Sequence, residues 1–114
     1  MTNVTATADA LIADYSALGN WIGVFTGAPG NTAAPANEAS GGSPAYARQA
    51  TSWTVSGATA IGSAVTINVP AGTYSYMGFF SASSGNNMVD WCPMTPQIAT
   101  GQTTITITPL ATAT

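Results

Sequence analysis

The chain has no histidine, no lysine, one arginine, one glutamate and one cysteine in its 114 residues. Each shortage removes a class of chemistry. Without histidine there is no ordinary general base at neutral pH, no imidazole ligand for a metal and no Ser-His-Asp arrangement. A single cysteine, Cys92, can close no internal disulfide and build no thiolate cluster from one chain. Its setting in VDWCPM, beside Trp91 and Met94, predicts a buried, inert thiol. With a net charge of -3 and Arg48 as the sole cation, the clustered phosphate contacts of a nucleic-acid binder are out of reach. No apolar run approaches the roughly 18 to 20 residues that span a bilayer, so no membrane partner is expected. The opening MTNVTATADA has neither the basic region nor the apolar core of a signal peptide, which predicts synthesis in a cytoplasm.

Charged residues make up 4% of the chain, against roughly 25% in ordinary soluble domains. Thr, Ser, Asn, Gln and Gly stand in their place. Sheet edges are usually protected by charge, lysine above all. A β-rich chain without that protection suits a particle-bound or extracellular setting in which partners cover much of the surface. The plainer alternative is a neutral polar surface that is soluble enough by itself.

A chain of this length forms one domain, 1–114, with one modest core. TATADALIADYSALG predicts an amphipathic helix with Leu11, Ile12, Tyr15 and Leu18 on one face, Thr7 or Asp9 at its cap and Gly19 as a left-handed stop. Strands are predicted over 20–26, 49–56, 63–69, 74–82, 87–94 and 103–109. In two of them Val65, Ile67 and Val69, and again Ile105 and Ile107, alternate with polar residues before Pro70 and Pro109 close the run. The fold class is therefore mainly β: a small antiparallel β-sandwich or distorted barrel with one short N-terminal helix. Residues 1–6 and 110–114, rich in Thr and Ala, are expected to be flexible or ordered only by a partner. Adjacent Phe79 and Phe80 must point to opposite faces of their strand, which predicts an apolar outer face covered by the helix or by another subunit.

Two segments echo each other without gaps. WIGVFTGAPG at 21–30 and YMGFFSASSG at 76–85 match Gly23 with Gly78, Phe25 with Phe80 and Gly30 with Gly85. They predict two equivalent strand-turn units, each with Phe on one face and a glycine where a backbone or large ring comes close.

Nothing in the sequence assembles a catalytic centre. Asp9 and Asp14 are turned apart on the predicted helix. Glu38 and Asp90 are the only carboxylates a glycosidase could pair, and nothing brings them together. Asp90 beside Trp91 suits either sugar binding by stacking and hydrogen bonding or a plain place at a sheet rim. GAPGN, SGGS and SSGNN lack the Lys and Thr of a phosphate loop and read as turns. No catalytic residue, metal or cofactor is expected, and the chain is not expected to be an enzyme.

The sole Glu and sole Arg stand ten residues apart around SGGSPAYA. A turn at 41–44 would let Glu38 and Arg48 form a structural ion pair that clasps this excursion to the body of the domain. The rival is an Arg48 that reaches a carboxylate on a neighbouring subunit while Glu38 faces water.

WIGVFTGAPG, NEASGGSPAYARQATSW, NVPAGTYSYMGFFSASSG and TITITP, taken in order, resemble a family of small virion proteins of tailed bacteriophages. These occur especially in phages of actinobacteria and are variously labelled minor capsid, head decoration or tail fibre protein. The resemblance covers residues 7 to about 109, departing from the family pattern at Pro44 and in the Ser-rich turn. It implies a structural virion protein. The first expectation is a capsid decoration protein, with the major capsid protein and copies of itself as partners in a symmetric cluster. The second is a tail fibre or minor tail module that contacts a host surface glycan.

Overall fold

A computed structural model describes residues 5–112. One helix, α1 (Thr5–Ser16), precedes nine strands: β1 (Trp21–Phe25), β2 (Gln49–Ala50), β3 (Trp53–Ser56), β4 (Thr59–Gly62), β5 (Val65–Val69), β6 (Gly72–Phe80), β7 (Met88–Ala99), β8 (Thr103–Ile107) and β9 (Leu110–Thr112). They form three antiparallel sheets, ordered β2-β1-β6-β7, β3-β4-β9 and β5-β8. The domain is mainly β, as expected, and its sheets do not close into a barrel among the described residues.

The core follows from alternation. Val65, Ile67 and Val69 on β5 lie opposite Ile107, Ile105 and Thr103 on β8, so one face of this ribbon is aliphatic and the other is a row of Thr and Asn. The aliphatic face joins Ile22, Val24 and Tyr74 of the first sheet in one buried cluster. Each such side chain removed from water contributes about 1.5–3 kcal/mol. Tyr74 is buried with its hydroxyl donating to the Pro70 carbonyl at 2.7 Å, so the ring brings no unpaired polar atom into the core.

The two echoing segments are neighbours in the first sheet. β1 pairs antiparallel with β6 so that Gly23 lies opposite Gly78, with Trp21 opposite Phe80 and Phe25 opposite Tyr76. The pairing therefore has a local two-fold about the two glycines. A Cβ on Gly78 would lie 2.5 Å from the Phe25 ring, and one on Gly23 would lie 2.9 Å from the Phe80 ring. Each glycine makes room for the other segment's phenylalanine. The rings stack at 5.9 Å between centroids and 27° between planes. Gly30 and Gly85, at matching turn positions, take φ of 87° and 94°. Gly78→Ala should destabilise the domain by about 1–3 kcal/mol by overpacking, read as a lower urea midpoint at unchanged m-value.

Several expectations need correction. The buried face of α1 is Ala8 and Ile12, with Tyr15 half-buried, whereas Leu11 and Leu18 are 48% and 53% exposed. The helix packs mainly on β3 and β4 of the small sheet, with Tyr15 reaching Phe79 of β6, and it ends at Ser16, before Leu18. Thr7 and Asp9 lie inside the helix, not at its cap. Gly19 is no left-handed stop: its Cβ would collide with the Phe80 carbonyl and Ser81 Cα, so it is close approach that the position demands. The segment 49–56 is two strands, broken where the Thr51 hydroxyl donates to the Ser63 carbonyl at 2.7 Å. β7 continues to Ala99 through Pro93 and Pro96, which an edge strand tolerates because its outer amides need no partner strand. Of the supposed loose ends, Leu110–Thr112 form β9 against β4, and Thr5 and Ala6 belong to α1; 1–4 and 113–114 lie outside the described residues.

Candidate functional site

The first sheet presents two faces, and each carries one of the polar clusters singled out by the sequence. Gly23, Gly78 and Phe80 share one face; Ile22, Phe79 and Asp90 share the other.

On the glycine face the loop 26–38 folds back on β1. Thr26 N–H donates to the Asn37 carbonyl and Ala39 N–H to the Val24 carbonyl, both at 3.0 Å, so Glu38 sits in a bridge with Phe25. The next excursion turns at Gly41 and Gly42, with φ of 84° and 95°, and the Tyr46 amide returns to the Gly41 carbonyl at 2.8 Å. Gln102 holds its tip, accepting from the Ser43 amide and donating to the Pro44 carbonyl, both at 3.0 Å. The chain then runs to Arg48.

Arg48 lies 6% exposed beneath this loop. Its Nε and Nη2 donate to the two oxygens of Glu38, each at 2.8 Å. Nη1 donates to the Ala82 carbonyl at 3.2 Å and to Asn87 Oδ1 at 3.1 Å, and Nη2 also donates to the Gly85 carbonyl at 2.9 Å. All five guanidinium N–H groups are thus used. The plane rests on Phe80, 3.5 Å from the ring centroid, where the π face attracts a cation. The structure therefore puts Glu38, Arg48, Phe80, Gly23 and Gly85 in one cluster. Phe25 and Gly78 join through the stacked ring, whereas Gly30 stands apart at the equivalent turn of the first segment.

Tyr46, Ala82 and Asn87 were not singled out beforehand. Tyr46 was legible as the residue two before Arg48, on the same side of an extended segment; Asn87 was hidden in what read only as a turn. The Tyr46 hydroxyl donates to Glu38 Oε2 at 2.7 Å and accepts from the Val24 amide at 3.3 Å. Burial, then the hydrogen bond to Glu38 and its charge, push the phenol well above its ordinary pKa of 10.0. A proton held more tightly in the folded state stabilises fully below the unfolded pKa and progressively less above it. Tyr15 and Tyr74, also raised, act with the same sign. Stability should hold level to about pH 9 and then fall above about pH 10, with a shallower fall in Tyr46→Phe, measured by urea titration at each pH.

On the other face Tyr15 of α1 packs edge-on against Phe79 at 5.1 Å, as does Trp53 at 5.5 Å. The helix thus covers the apolar face that the Phe79-Phe80 pair predicted. Tyr15 donates its hydroxyl to Asp90 Oδ2 at 2.8 Å, and the Trp91 amide donates to Oδ1 at 2.8 Å. Glu38 and Asp90 are thereby bound to different partners on opposite faces of the sheet, and they form no acid-base pair. Cys92 is exposed, contrary to expectation: it lies on β7, the edge strand of the sheet, paired with Met77 on one side and with no strand on the other. Partial burial, then Asp90, raise its pKa and keep the thiol protonated.

Two hollows have Asp90 and Trp91 among their lining residues. One, about 370 Å³, runs beneath α1 between Tyr15, Phe79, Trp53 and Leu110 and is largely apolar. The other, about 240 Å³, lies between the loop residues Gly30 to Ala33 and Met88 to Trp91. No group of three His, Cys, Asp or Glu residues able to hold a metal occurs among the described residues.

A family model described as podophage GP4 fiber I protein gp80 matches residues 6–112. The chain belongs to this fibre protein family. It is accordingly a bacteriophage structural protein, a component of the virion. No curated protein and no solved structure matches the chain. The fibre family favours the second expectation, a tail fibre, over capsid decoration, and it carries neither the actinobacterial host nor the minor-capsid location that the resemblance implied.

Proposed function

We propose that the chain is a non-enzymatic module of the tail fibre apparatus of a podophage, held among copies of itself and adjoining tail proteins and exposed to the host surface. The observation that carries this reading is the fibre family match over residues 6–112. The structure is compatible in kind. The domain is elongated, 46 × 25 × 23 Å. Its only cation is spent on holding loops together, and the paired, exposed Ile61 and Leu110 offer an apolar contact to a neighbour.

Copy number tests the reading. Quantitative mass spectrometry of purified virions should find a few to tens of copies per particle. Hundreds, in fixed ratio to the major shell protein, would return the chain to the head.

A further inference from the structure

We propose that β7 is a guarded edge: the Asp90 carboxylate, Pro93, Pro96 and the loop over Met88 close the outer side of the first sheet to any further strand, so that copies of the chain do not join through it. The guard belongs to the isolated chain and does not depend on where in the virion the chain sits.

β7 is the longest strand and ends the first sheet, and from Met88 to Ala99 it carries a single charge, on Asp90. An edge so long and so nearly uncharged, with Met, Val, Trp and Ile along it, pairs with other edges unless something prevents it. Lysine, the usual guard, is absent from the chain.

The register shows which backbone groups of β7 face outward. In an antiparallel pair, opposed residues alternate between those that exchange N–H and C=O bonds and those that turn both groups away from the partner strand. Pro93 has no N–H to give, so Tyr76↔Pro93 is of the second kind, Met77↔Cys92 of the first and Gly78↔Trp91 again of the second. The other side of the sheet agrees. Val24, opposite Met77 on β1, donates its amide to the Tyr46 hydroxyl at 3.3 Å and accepts at its carbonyl from Ala39 at 3.0 Å, so it exchanges nothing with Met77, which is left to face β7.

The outward amides are then withdrawn one by one. Met88 donates to the Ala33 carbonyl at 3.1 Å, beneath the loop that follows β1. Trp91 donates to Oδ1 of Asp90 at 2.8 Å, while Oδ2 of the same carboxylate is held by the Tyr15 hydroxyl at 2.8 Å. Pro93 has no amide hydrogen at all. The register also shifts twice, between Phe79 and Phe80, where Val89 is the extra residue, and between Tyr74 and Tyr76, where Pro96 withholds another amide. Such irregularities bend and twist an edge out of line. A strand arriving at β7 would have to aim a carbonyl at the Trp91 amide, where it meets a carboxylate oxygen, acceptor against acceptor. Two β7 strands paired about this point would also bring two Asp90 charges together, with no lysine to offset them.

The purified chain under reducing conditions provides the test. Asp90→Ala should speed hydrogen exchange of the Trp91 amide about tenfold, followed by NMR and corrected for the intrinsic rate, and leave the Met77 and Phe79 amides unchanged. The triple variant Asp90→Ala with Pro93→Thr and Pro96→Thr should associate, in a concentration series by analytical ultracentrifugation, where the wild type keeps its own state, with new amide protection along β7. Tyr15→Phe, which frees Oδ2 and leaves Oδ1 on the Trp91 amide, should match the wild type in both measurements. The proposal is overturned by an unchanged Trp91 exchange rate in Asp90→Ala, by a folded triple variant that stays in the wild-type state, by association that protects a different edge, or by equal association of Tyr15→Phe. If the triple variant does not fold, the exchange rate decides alone.

Discussion

Arg48→Met should lower the melting temperature of the isolated chain by about 12–20 °C. The figure follows from burial. The Arg48 and Glu38 side chains are 5% and 20% exposed, which places the pair outside the exposed class worth about 0–1 kcal/mol. Breaking a buried pair by removing one partner costs about 3–5 kcal/mol, because the remaining charge has no compensation. At about 4 °C per kcal/mol for a domain of this size, that is the stated range. The loss extends beyond Glu38, since the carbonyls of Ala82 and Gly85 and the amide oxygen of Asn87 all give up a charged donor. Those three belong to the turn after β6, whereas Glu38 belongs to the loop after β1. One side chain therefore joins the two loops that follow the two echoing strands. If Arg48 served a neighbouring subunit instead, the isolated variant would melt normally. The paired variant Glu38→Leu with Arg48→Met should be less damaged than the sum of its parts, because the second change removes the stranded charge.

Phe80→Ala is the second large effect, a loss of about 3–5 kcal/mol. Phe80 is fully buried, stacks on Phe25 and carries the guanidinium over its ring. Truncation opens a cavity under a charge that has no freedom to follow it. Phe80→Leu refills part of that volume and should recover part of the loss, while Ile98→Ser, on a residue 76% exposed, should stay within about 0.5 kcal/mol of wild type. Equilibrium urea unfolding of the three variants reads all of these. Similar losses from Phe80→Ala and Ile98→Ser would contradict the packing described.

What the sequence made legible was whatever alternates or repeats. The β5 and β8 ribbon could be read from Val65, Ile67, Val69, Ile105 and Ile107, because one face is aliphatic and the other is Thr. The glycine-for-ring exchange of β1 and β6 was signalled by the spacing of Gly23, Phe25, Gly78 and Phe80, although the antiparallel register that sets the glycines opposite one another was not. Strand β4, TAIG, stayed hidden because Ala60 and Gly62 are buried by smallness and not by hydrophobic bulk. β9 stayed hidden for a related reason: Leu110–Thr112 owes its order to a partner strand some fifty residues away. The helix face was misjudged because a run of apolar residues fixes a period but not the width of the surface that receives it. In the Arg48 cluster the two charges were conspicuous by rarity. Their backbone acceptors were not, since a carbonyl leaves no trace in the sequence. Asp90 and Trp91 could be noticed together, but adjacent strand residues face opposite ways, and the contact of Asp90 with Tyr15 across the chain has no signature.

The most direct measurement of the central claim is a reconstruction of the intact virion at a resolution that shows strands. The account predicts density for this fold, with its long β6–β7 hairpin and single helix, in the appendages of the tail. The same density seated on the head shell between capsomers would contradict it.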